Sequence, residues 1–387
     1  MTPHRSLRLA VALSVVASRA DAVGIGAEGD PLSVEVHAFA SQGFILSKDN
    51  NYIDAASSRG SFQLSEIGVN LTKTVGERLR FGVQLFAQDF GTSSNYNAKM
   101  DWFYADYRFA DWLGLRFGRL KIPFGLNNEI NDVDSARTFV LLPQSVYPIA
   151  NRNYLLAQTG GELYGYLRIG AAGALDYRAY GGTIFFETTT QAGSPTQVAG
   201  LNVPFVIGGR LLWEAPLDGL RLGGSVQALR LDADLLVQTM LVNAKIPATL
   251  LVGSVEYAAH DLLLAAEYSR WYVKLDSGNP VLFPATPLQT SERAYGLVSY
   301  RVAKWLQPGA YYSLYFPNTD NRSGRANVQH DIATTLRFDI NPHWLVKLEG
   351  HYMAGTAGLT SSLNSNTPTS QLERFWGVFL AKTTVYF

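Results

Sequence analysis

The chain has 387 residues, with 32 basic and 32 acidic side chains and no cysteine. The lack of cysteine excludes disulfides, thiolate metal sites and a cysteine nucleophile. The even charge balance provides no basic surface for nucleic acid, and no nucleotide-binding or haem-attachment motif is present, so neither a nucleic-acid partner nor a cofactor is expected. Aromatic residues make up 12% of the chain while its mean hydropathy is only +0.01, so apolar residues must be interleaved with polar ones.

The first 22 residues have the pattern of a secretory signal peptide. Basic residues through Arg8 precede an apolar run at 9–17, and the small residues Ala20 and Ala22 stand at cleavage spacing. Ala27 offers an alternative cleavage site. Removal after Ala22 would leave 29 basic and 31 acidic residues, which predicts a nearly neutral exported protein.

Period-two alternation dominates the remainder of the chain. At residues 79–86, Leu, Phe, Val and Leu alternate with Arg, Gly, Gln and Phe, and residues 113–117 and 332–339 show the same period. This alternation predicts β-strands with one apolar and one mostly polar face. A soluble β-sandwich would show it too, so the connections between the strands must decide between the two architectures.

The predicted connections alternate between short turns and long polar loops. The short turns fall near residues 74–77, 110–112, 170–173, 216–219, 259–261, 303–305 and 341–343. The long loops fall near 47–59, 91–98, 123–158, 188–203, 232–247, 277–291, 317–327 and 355–372. This asymmetry predicts an all-β fold over residues 23–387, a transmembrane antiparallel barrel of about sixteen strands with periplasmic turns and extracellular loops. Such a barrel would lie among the lipids of the outer membrane of a Gram-negative bacterium.

Aromatic residues at strand ends support the membrane prediction. The seven tryptophans lie near the ends of predicted strands, where an indole can sit between lipid and water, so we expect interfacial girdles. The alternative is that they are core anchors of a soluble β protein. The chain ends on Phe387 after an alternating segment, which resembles the insertion signal of bacterial outer-membrane proteins.

The third loop, residues 123–158, is the longest predicted connection. A loop of this length is usually functional or disordered, and its apolar residues, such as Phe139 and Tyr147, favour order. We expect it to fold into the barrel and narrow it. Asp134 and Ser135 resemble helix-capping residues and predict one short helical turn after them.

Charged residues in and before this loop are the candidates for a pore constriction. Opposed charges across a narrow aqueous gap would filter solutes by size and charge. Alternatively, these side chains cap helix ends or pair with each other to hold the loop. The candidates are Arg116, Arg119, Lys121, Glu129, Asp132, Asp134, Arg137 and Arg152.

Two of these candidates conflict with strict alternation. Alternation after Phe117 would direct Arg119 and Lys121 at lipid, which is costly. A bulge at Gly118 would turn both into the lumen and turn Leu120 outward. The alternative is that both lie at the headgroup boundary and extend their charged ends into water.

Two segments carry a family resemblance. The run Leu115 to Gly125, followed by Asn128-Glu129 and later by Pro143 to Tyr147, resembles the start of the third loop in the phosphate-selective porin O and P family. The segment His343 to Gly355, with Lys347, Glu349 and His351, resembles that family's penultimate strand. The resemblance implies a sixteen-stranded homotrimeric channel, and some members select phosphate through lumen arginines and lysines.

The function expected from these features is passive diffusion of small hydrophilic solutes or ions through a water-filled channel. Acidic residues accompany the predicted inward basic residues nearly one for one, so we expect at most a weak, phosphate-type preference for anions. One alternative is a scaffold, an adhesin or the sheath of an electron conduit. A barrel hydrolase is the other, but only six histidines exist and none neighbours a nucleophile motif, so no enzymatic activity is expected.

Overall fold

A computed structural model describes five stretches of the protein. They are residues 23–25, 33–91, 95–149, 155–185 and 196–387. The predicted signal peptide and Arg152 therefore lie outside the described residues. Within these stretches, no helix combines the length and the apolar character needed to cross a membrane.

Seventeen β-strands lie in the described part of the chain, and sixteen of them form a closed antiparallel barrel. Each strand from β2 to β17 pairs with its sequence neighbour, and β17 pairs with β2 to close the sheet. The short β1 adds to the beginning of β2. The strands are β1 (Val23–Ile25), β2 (Val34–Lys48), β3 (Ser65–Val75), β4 (Leu79–Asp89), β5 (Lys99–Ala110), β6 (Leu113–Lys121), β7 (Ala157–Arg168), β8 (Ala174–Ile184), β9 (Thr196–Glu214), β10 (Leu220–Val237), β11 (Met240–Ala259), β12 (Leu262–Ser277), β13 (Thr286–Tyr300), β14 (Leu306–Phe316), β15 (Gln329–Asn341), β16 (Trp344–Gly355) and β17 (Phe375–Tyr386). Single 3-10 turns lie at Ser57–Arg59, Asn128–Ile130, Asp134–Ala136, Gly170–Ala172, Arg325–Asn327, Ser361–Asn364 and Thr369–Gln371.

The two faces of the wall have opposite chemistry. On β15, Ile332 and Leu336 are 50% and 42% exposed, whereas the alternate residues Asp331, Thr335 and Arg337 are buried. Exposed apolar side chains of this kind cover the outside of the barrel, where a membrane would supply lipid contacts. The predicted barrel of about sixteen strands is confirmed.

All seven short turns lie where the sequence predicts them, at one end of the barrel. One of the two-residue turns joins β11 to β12 through His260 and Asp261, which have φ values of 53° and 62°. Two successive residues with positive φ match the right-handed twist of a two-residue hairpin.

The fifth predicted long loop, residues 232–247, is wrong. β10 and β11 continue through this segment and are joined by only two residues, 238 and 239. Here the apolar pattern changes phase, because the apolar residues move from the outward to the inward positions of the strand. Asp232 and Asp234 lie outward, while Ala233 and Leu235 are buried inside. Above the lipid the outer face meets water, so polar outward residues mimic a loop in the sequence. β9 likewise begins at Thr196, inside the predicted fourth loop.

The tryptophans divide into two groups. Trp112, Trp213, Trp305 and Trp344 lie at the short-turn ends of strands and are substantially exposed, as expected for an interfacial girdle. The girdle prediction is wrong for the other three. Trp376 is buried, Trp102 pairs across the sheet with the inward Gln84, and Trp271 follows the inward alternation of β12.

The phase change on β10 and β11 predicts where the lipid boundary lies. Leu251 and Leu241 both face outward on β11, but Leu251 pairs with Val226 in the apolar band and Leu241 lies at the hairpin tip. We expect Leu251→Arg to destabilise the barrel by roughly 2–4 kcal/mol and Leu241→Arg by about 0–1 kcal/mol. Denaturant unfolding from lipid vesicles measures both. Equal costs would show that the hairpin is embedded in lipid.

Candidate pore constriction

The third loop connects β6 to β7 and packs its apolar side chains against the inner faces of strands on both sides of the barrel. Phe124 stacks on Tyr147 with ring centroids 5.8 Å apart, and both contact a buried cluster that includes Tyr180 of β8. Leu141 lies in a second cluster with Trp376 of β17. Apolar inward patches on the wall therefore receive the loop, and burial of this area stabilises it there.

Asp134 is a deeply buried acidic anchor of the loop, with only 2% of its surface exposed. Its Oδ1 lies 3.1 Å from Lys347 Nζ, 3.3 Å from Lys382 Nζ and 3.4 Å from Arg137 Nη2. The Thr384 hydroxyl donates to its Oδ2 at 2.7 Å. Burial alone would raise the pKa of Asp134, but the surrounding cations hold it well below the usual range. The carboxylate therefore stays charged and ties the loop to β16 and β17.

The helical turn predicted here is present as a 3-10 turn over Asp134–Ala136. The predicted capping is wrong, because Val133 occupies the N-cap position and no side chain caps the turn. Asp134 instead directs its carboxylate at the wall.

Wall side chains also satisfy the backbone of the loop. Glu349 accepts hydrogen bonds from the amides of Val140 at 2.7 Å and Leu141 at 2.9 Å. Arg337 Nη1 donates to the carbonyls of Ser135 at 2.7 Å and Arg137 at 3.1 Å. An irregular loop inside a barrel cannot pair all of its backbone groups with one another, so charged wall residues supply some of the missing partners.

Elsewhere on the wall, Glu267 of β12 holds another part of the loop. Its carboxylate accepts the Leu126 amide at 2.9 Å, the Tyr295 hydroxyl at 2.8 Å and the Ser254 hydroxyl at 2.6 Å. The Tyr147 hydroxyl of the loop also donates to it. Burial and the neighbouring carboxylate raise the pKa of Tyr147 well above its usual value, so this phenol stays protonated as a donor.

Lys121 and Asp132 form a further buried connection. Lys121 Nζ contacts the Asp132 carboxylate and donates to the Glu129 carbonyl at 2.7 Å. Gln84 of β4 donates to the other Asp132 oxygen at 2.7 Å. Both charged groups therefore hold the beginning of the loop against the wall.

The bulge predicted at Gly118 is wrong, although this glycine has a positive φ of 139°. The β6–β7 register runs without a shift through this point, and Leu120 remains buried inside. Arg119 consequently lies in register with Phe103 on the outward side, and its Nε donates to the Asp101 carbonyl at 2.7 Å. Its position fits the alternative of a charge at the edge of the lipid.

One charge network remains partly exposed inside the barrel. Glu129 of the loop is paired with Arg210 at 2.9 Å and Arg178 at 3.5 Å, and 28% of its side chain is exposed. Arg178 continues to Glu162 at 3.1 Å, and Arg116 lies 3.4 Å from the same carboxylate. The partly exposed side chains of Glu129 and Arg116 can contact water and a passing solute, so this network forms the candidate constriction.

The rings of Tyr104 and Tyr164 hold Arg116 on both sides, with its guanidinium carbon 4.9 Å and 5.0 Å from their centroids. A guanidinium stacked in this way keeps its charge while losing conformational freedom. Asp106 pairs with Arg116 at 3.1 Å and accepts the Tyr164 hydroxyl at 2.5 Å. Arg116 is therefore a fixed positive charge on the inner wall.

The structure thus divides the predicted site residues into three groups. Arg116 and Glu129 belong to the partly exposed network. Lys121, Asp132, Asp134 and Arg137 lie in buried contacts that hold the loop, and Arg119 lies outward. Arg178 and Arg210 were absent from the predicted set, although each stands at an inward position of its strand's alternation.

Comparison with known proteins identifies the architecture. No protein-family model and no curated protein sequence matches the chain. Among solved structures, the anion-selective porin from Comamonas acidovorans is 13% identical, with a TM-score of 0.57, over 92% of this chain and 99% of that one. The fold is that of the outer-membrane porins.

Two further solved structures agree. OmpF of Salmonella typhi, in complex with daunomycin, is 13% identical with a TM-score of 0.57, over 94% of this chain and 100% of that one. The trimer form of Vibrio cholerae OmpT is 12% identical with a TM-score of 0.55, over 92% of this chain and 99% of that one.

Removal of the buried carboxylate tests the anchoring of the loop. We expect Asp134→Ala to destabilise the barrel by about 3–5 kcal/mol, because Lys347 and Lys382 would keep buried charges without their shared partner. A double variant that carries Lys347→Met in addition to Asp134→Ala should regain part of the lost stability, because one of the two unpaired buried charges is removed. Denaturant unfolding measures each variant. A double variant no more stable than Asp134→Ala would contradict the assignment.

The pH dependence of the loop follows from Glu129. Burial alone would raise its pKa, but Arg178, Arg210 and Arg116 lower it to about 2 from the ordinary value of 4.5. Because the folded pKa is depressed, we expect its stabilisation to be complete above pH 4.5 and to be lost as the pH falls to about 2. Pepsin cleavage of the loop, which operates across this range, measures the effect.

Glu129→Gln is the matched variant for this measurement. It should be cleaved faster than the unmodified protein at pH 4.5, and the two rates should converge near pH 2. A difference that persists unchanged at pH 2 would contradict the role of the Glu129 charge.

Proposed function

We propose that the protein is an outer-membrane porin through which small hydrophilic solutes and ions diffuse passively. The observation that carries the proposal is the third loop, which is tied to nearly opposite parts of the closed barrel, to β16 and β17 through Asp134 and to β8 and β9 through Glu129. A loop in that position narrows the lumen without requiring a moving part. The partly exposed network around Glu129 and Arg178 then lines the narrowed passage. No catalytic step is assigned to the protein.

The charges along this passage support a weak preference for anions. Arg116, Arg178 and Arg210 are each accompanied by a carboxylate, so the network itself is close to neutral. Nearer the periplasmic end, Arg80 and Arg168 occupy exposed inward positions and make no ion pair with any described residue. Uncompensated cations at a channel mouth raise the local concentration of anions. The small surplus does not form the basic ladder that phosphate selectivity would require.

We further propose that the protein assembles as a homotrimer. The support is the shared barrel fold of OmpT from Vibrio cholerae, which forms a trimer. Chemical cross-linking in membranes tests this part separately from conduction.

Planar bilayers test the channel directly. We expect discrete conductance steps and, in a potassium chloride gradient, a small reversal potential of the sign that indicates anion preference. Arg80→Gln combined with Arg168→Gln should move the reversal potential toward cations, because two uncompensated charges are lost.

Arg119→Gln is the control, since Arg119 lies on the outward side and should leave the reversal potential unchanged. A non-conducting barrel would contradict the porin and favour a scaffold. Clear cation selectivity of the unmodified channel would contradict the anion preference alone.

A further inference from the structure

Two buried carboxylates lie where the first loop, residues 49–64, meets the end of β4. Asp54 of the loop is 1% exposed, and Asp89, the last residue of β4, is 6% exposed. Both adjoin Gly91, since a Cβ atom at this glycine would clash with Asp54 Oδ2 and its amide donates to the Asp89 carboxylate. The two acidic groups are therefore neighbours, and the charge of Asp54 acts on Asp89.

Each of these carboxylates has one oxygen that is buried and accepts no hydrogen bond. Asp54 Oδ1 accepts the Ala56 amide at 2.5 Å, whereas Asp54 Oδ2 has no donor among the described residues. Asp89 Oδ1 has none either. No basic side chain in the described part of the chain forms an ion pair with either residue. Two negatively charged oxygens are thus enclosed side by side without a protein partner.

A positive charge is the partner that this pair lacks. Buried carboxylates that stay ionised are paired with a cation or coordinate a metal ion, and otherwise one of them takes up a proton. Here each carboxylate also accepts a backbone amide, Asp54 from Ala56 and Asp89 from Gly91, and such hydrogen bonds favour the ionised form. A bound cation therefore suits the pair better than a shared proton does.

The type of donor atom determines which cation fits. Carboxylate oxygens are ligands of the hard cations Mg²⁺ and Ca²⁺. Mg²⁺ is commonly bound through one or two carboxylates and keeps several waters, while Ca²⁺ accepts a larger and more flexible shell of oxygens. Within the described stretches, no group of three or more histidine, cysteine or acidic side chains is arranged to hold a metal, so water would complete the shell here.

We infer that Asp54 and Asp89 bind one hard divalent cation, Mg²⁺ or Ca²⁺, at the junction of the first loop and β4. Asp54 Oδ2 and Asp89 Oδ1 contact the ion, and water supplies its remaining ligands. The site goes beyond the proposed porin function, because binding of this ion requires neither conduction nor a solute in the lumen.

The position of the first loop gives the ion a structural role at the rim of the barrel. Asn50 is joined to the backbone of Glu373, in the eighth loop, by two hydrogen bonds of 2.7 Å and 3.1 Å. The ring of Tyr52 lies 5.2 Å from that of Trp376 on β17. An ion at Asp54 therefore holds the first loop to β4, while these contacts hold the same loop to the other side of the seam.

Titration calorimetry of the full-length protein in detergent tests the site at neutral pH, after removal of divalent ions with EDTA. The probes are calcium chloride and magnesium chloride, with potassium chloride as the control. We expect saturable binding of a single ion per chain for calcium, magnesium or both, and none for potassium. If neither divalent ion binds saturably, the inference is overturned and the two carboxylates share a proton.

Three variants locate the ion. Asp54→Asn and Asp89→Asn should each weaken its binding about tenfold or more, because each removes a charged ligand. Asp320→Asn makes the same chemical change at an exposed position of the seventh loop and should leave the affinity unchanged. Full affinity in both of the first two variants, or an equal loss in Asp320→Asn, would show that the ion binds elsewhere.

Hydrogen exchange of the unmodified protein decides the question if the first two variants fail to fold. The bound ion should slow exchange in residues 49–64, including the Ala56 amide that donates to Asp54, and leave residues 317–327 unchanged. Exchange in residues 49–64 that does not respond to either divalent ion would overturn the site. A barrel that conducts without binding either ion would overturn only this site and retain the porin function.

Discussion

The interior of the barrel depends on the ion pairs that the Asp134 carboxylate forms with its neighbours. This carboxylate is fully enclosed, yet three cations and a hydroxyl surround it, so the desolvation of each partner is offset by the others. The same contacts hold the third loop across the lumen. Without them, the loop would have to leave its backbone groups and apolar side chains exposed to water.

This dependence explains why acids and bases are nearly equal in number inside the wall. Each buried lysine or arginine needs a carboxylate or a backbone carbonyl, as Arg337 shows by bonding to the Ser135 carbonyl and pairing with Asp339. Such buried charges therefore serve the architecture and are not available to a solute. Those that remain partly exposed, such as Glu129 and Arg116, are the ones that we propose line the passage.

Alternation and its interruptions were sufficient to predict the strands, the turns and the inward positions. The reason is that lipid favours apolar residues on the outer face of the wall, whereas the inner face carries mostly polar residues. The pattern failed at residues 232–247, where the strands extend beyond the lipid and the outward face becomes polar. The loop charges could be identified but not paired, because partners such as Asp134 and Lys382 lie 248 positions apart in sequence. Only the closed sheet brings them together.

The seam of the barrel has a consequence for how the protein is made. β17 pairs with β2 from Gly377 and Lys48 to Tyr386 and Phe39, so residues more than three hundred positions apart are direct neighbours. Until β17 has been synthesised, β2 has one edge without a hydrogen-bonding partner, and an unpaired edge cannot be stable in lipid. Insertion must therefore follow translation, and the exported chain has to be kept from aggregating until all sixteen strands are present together.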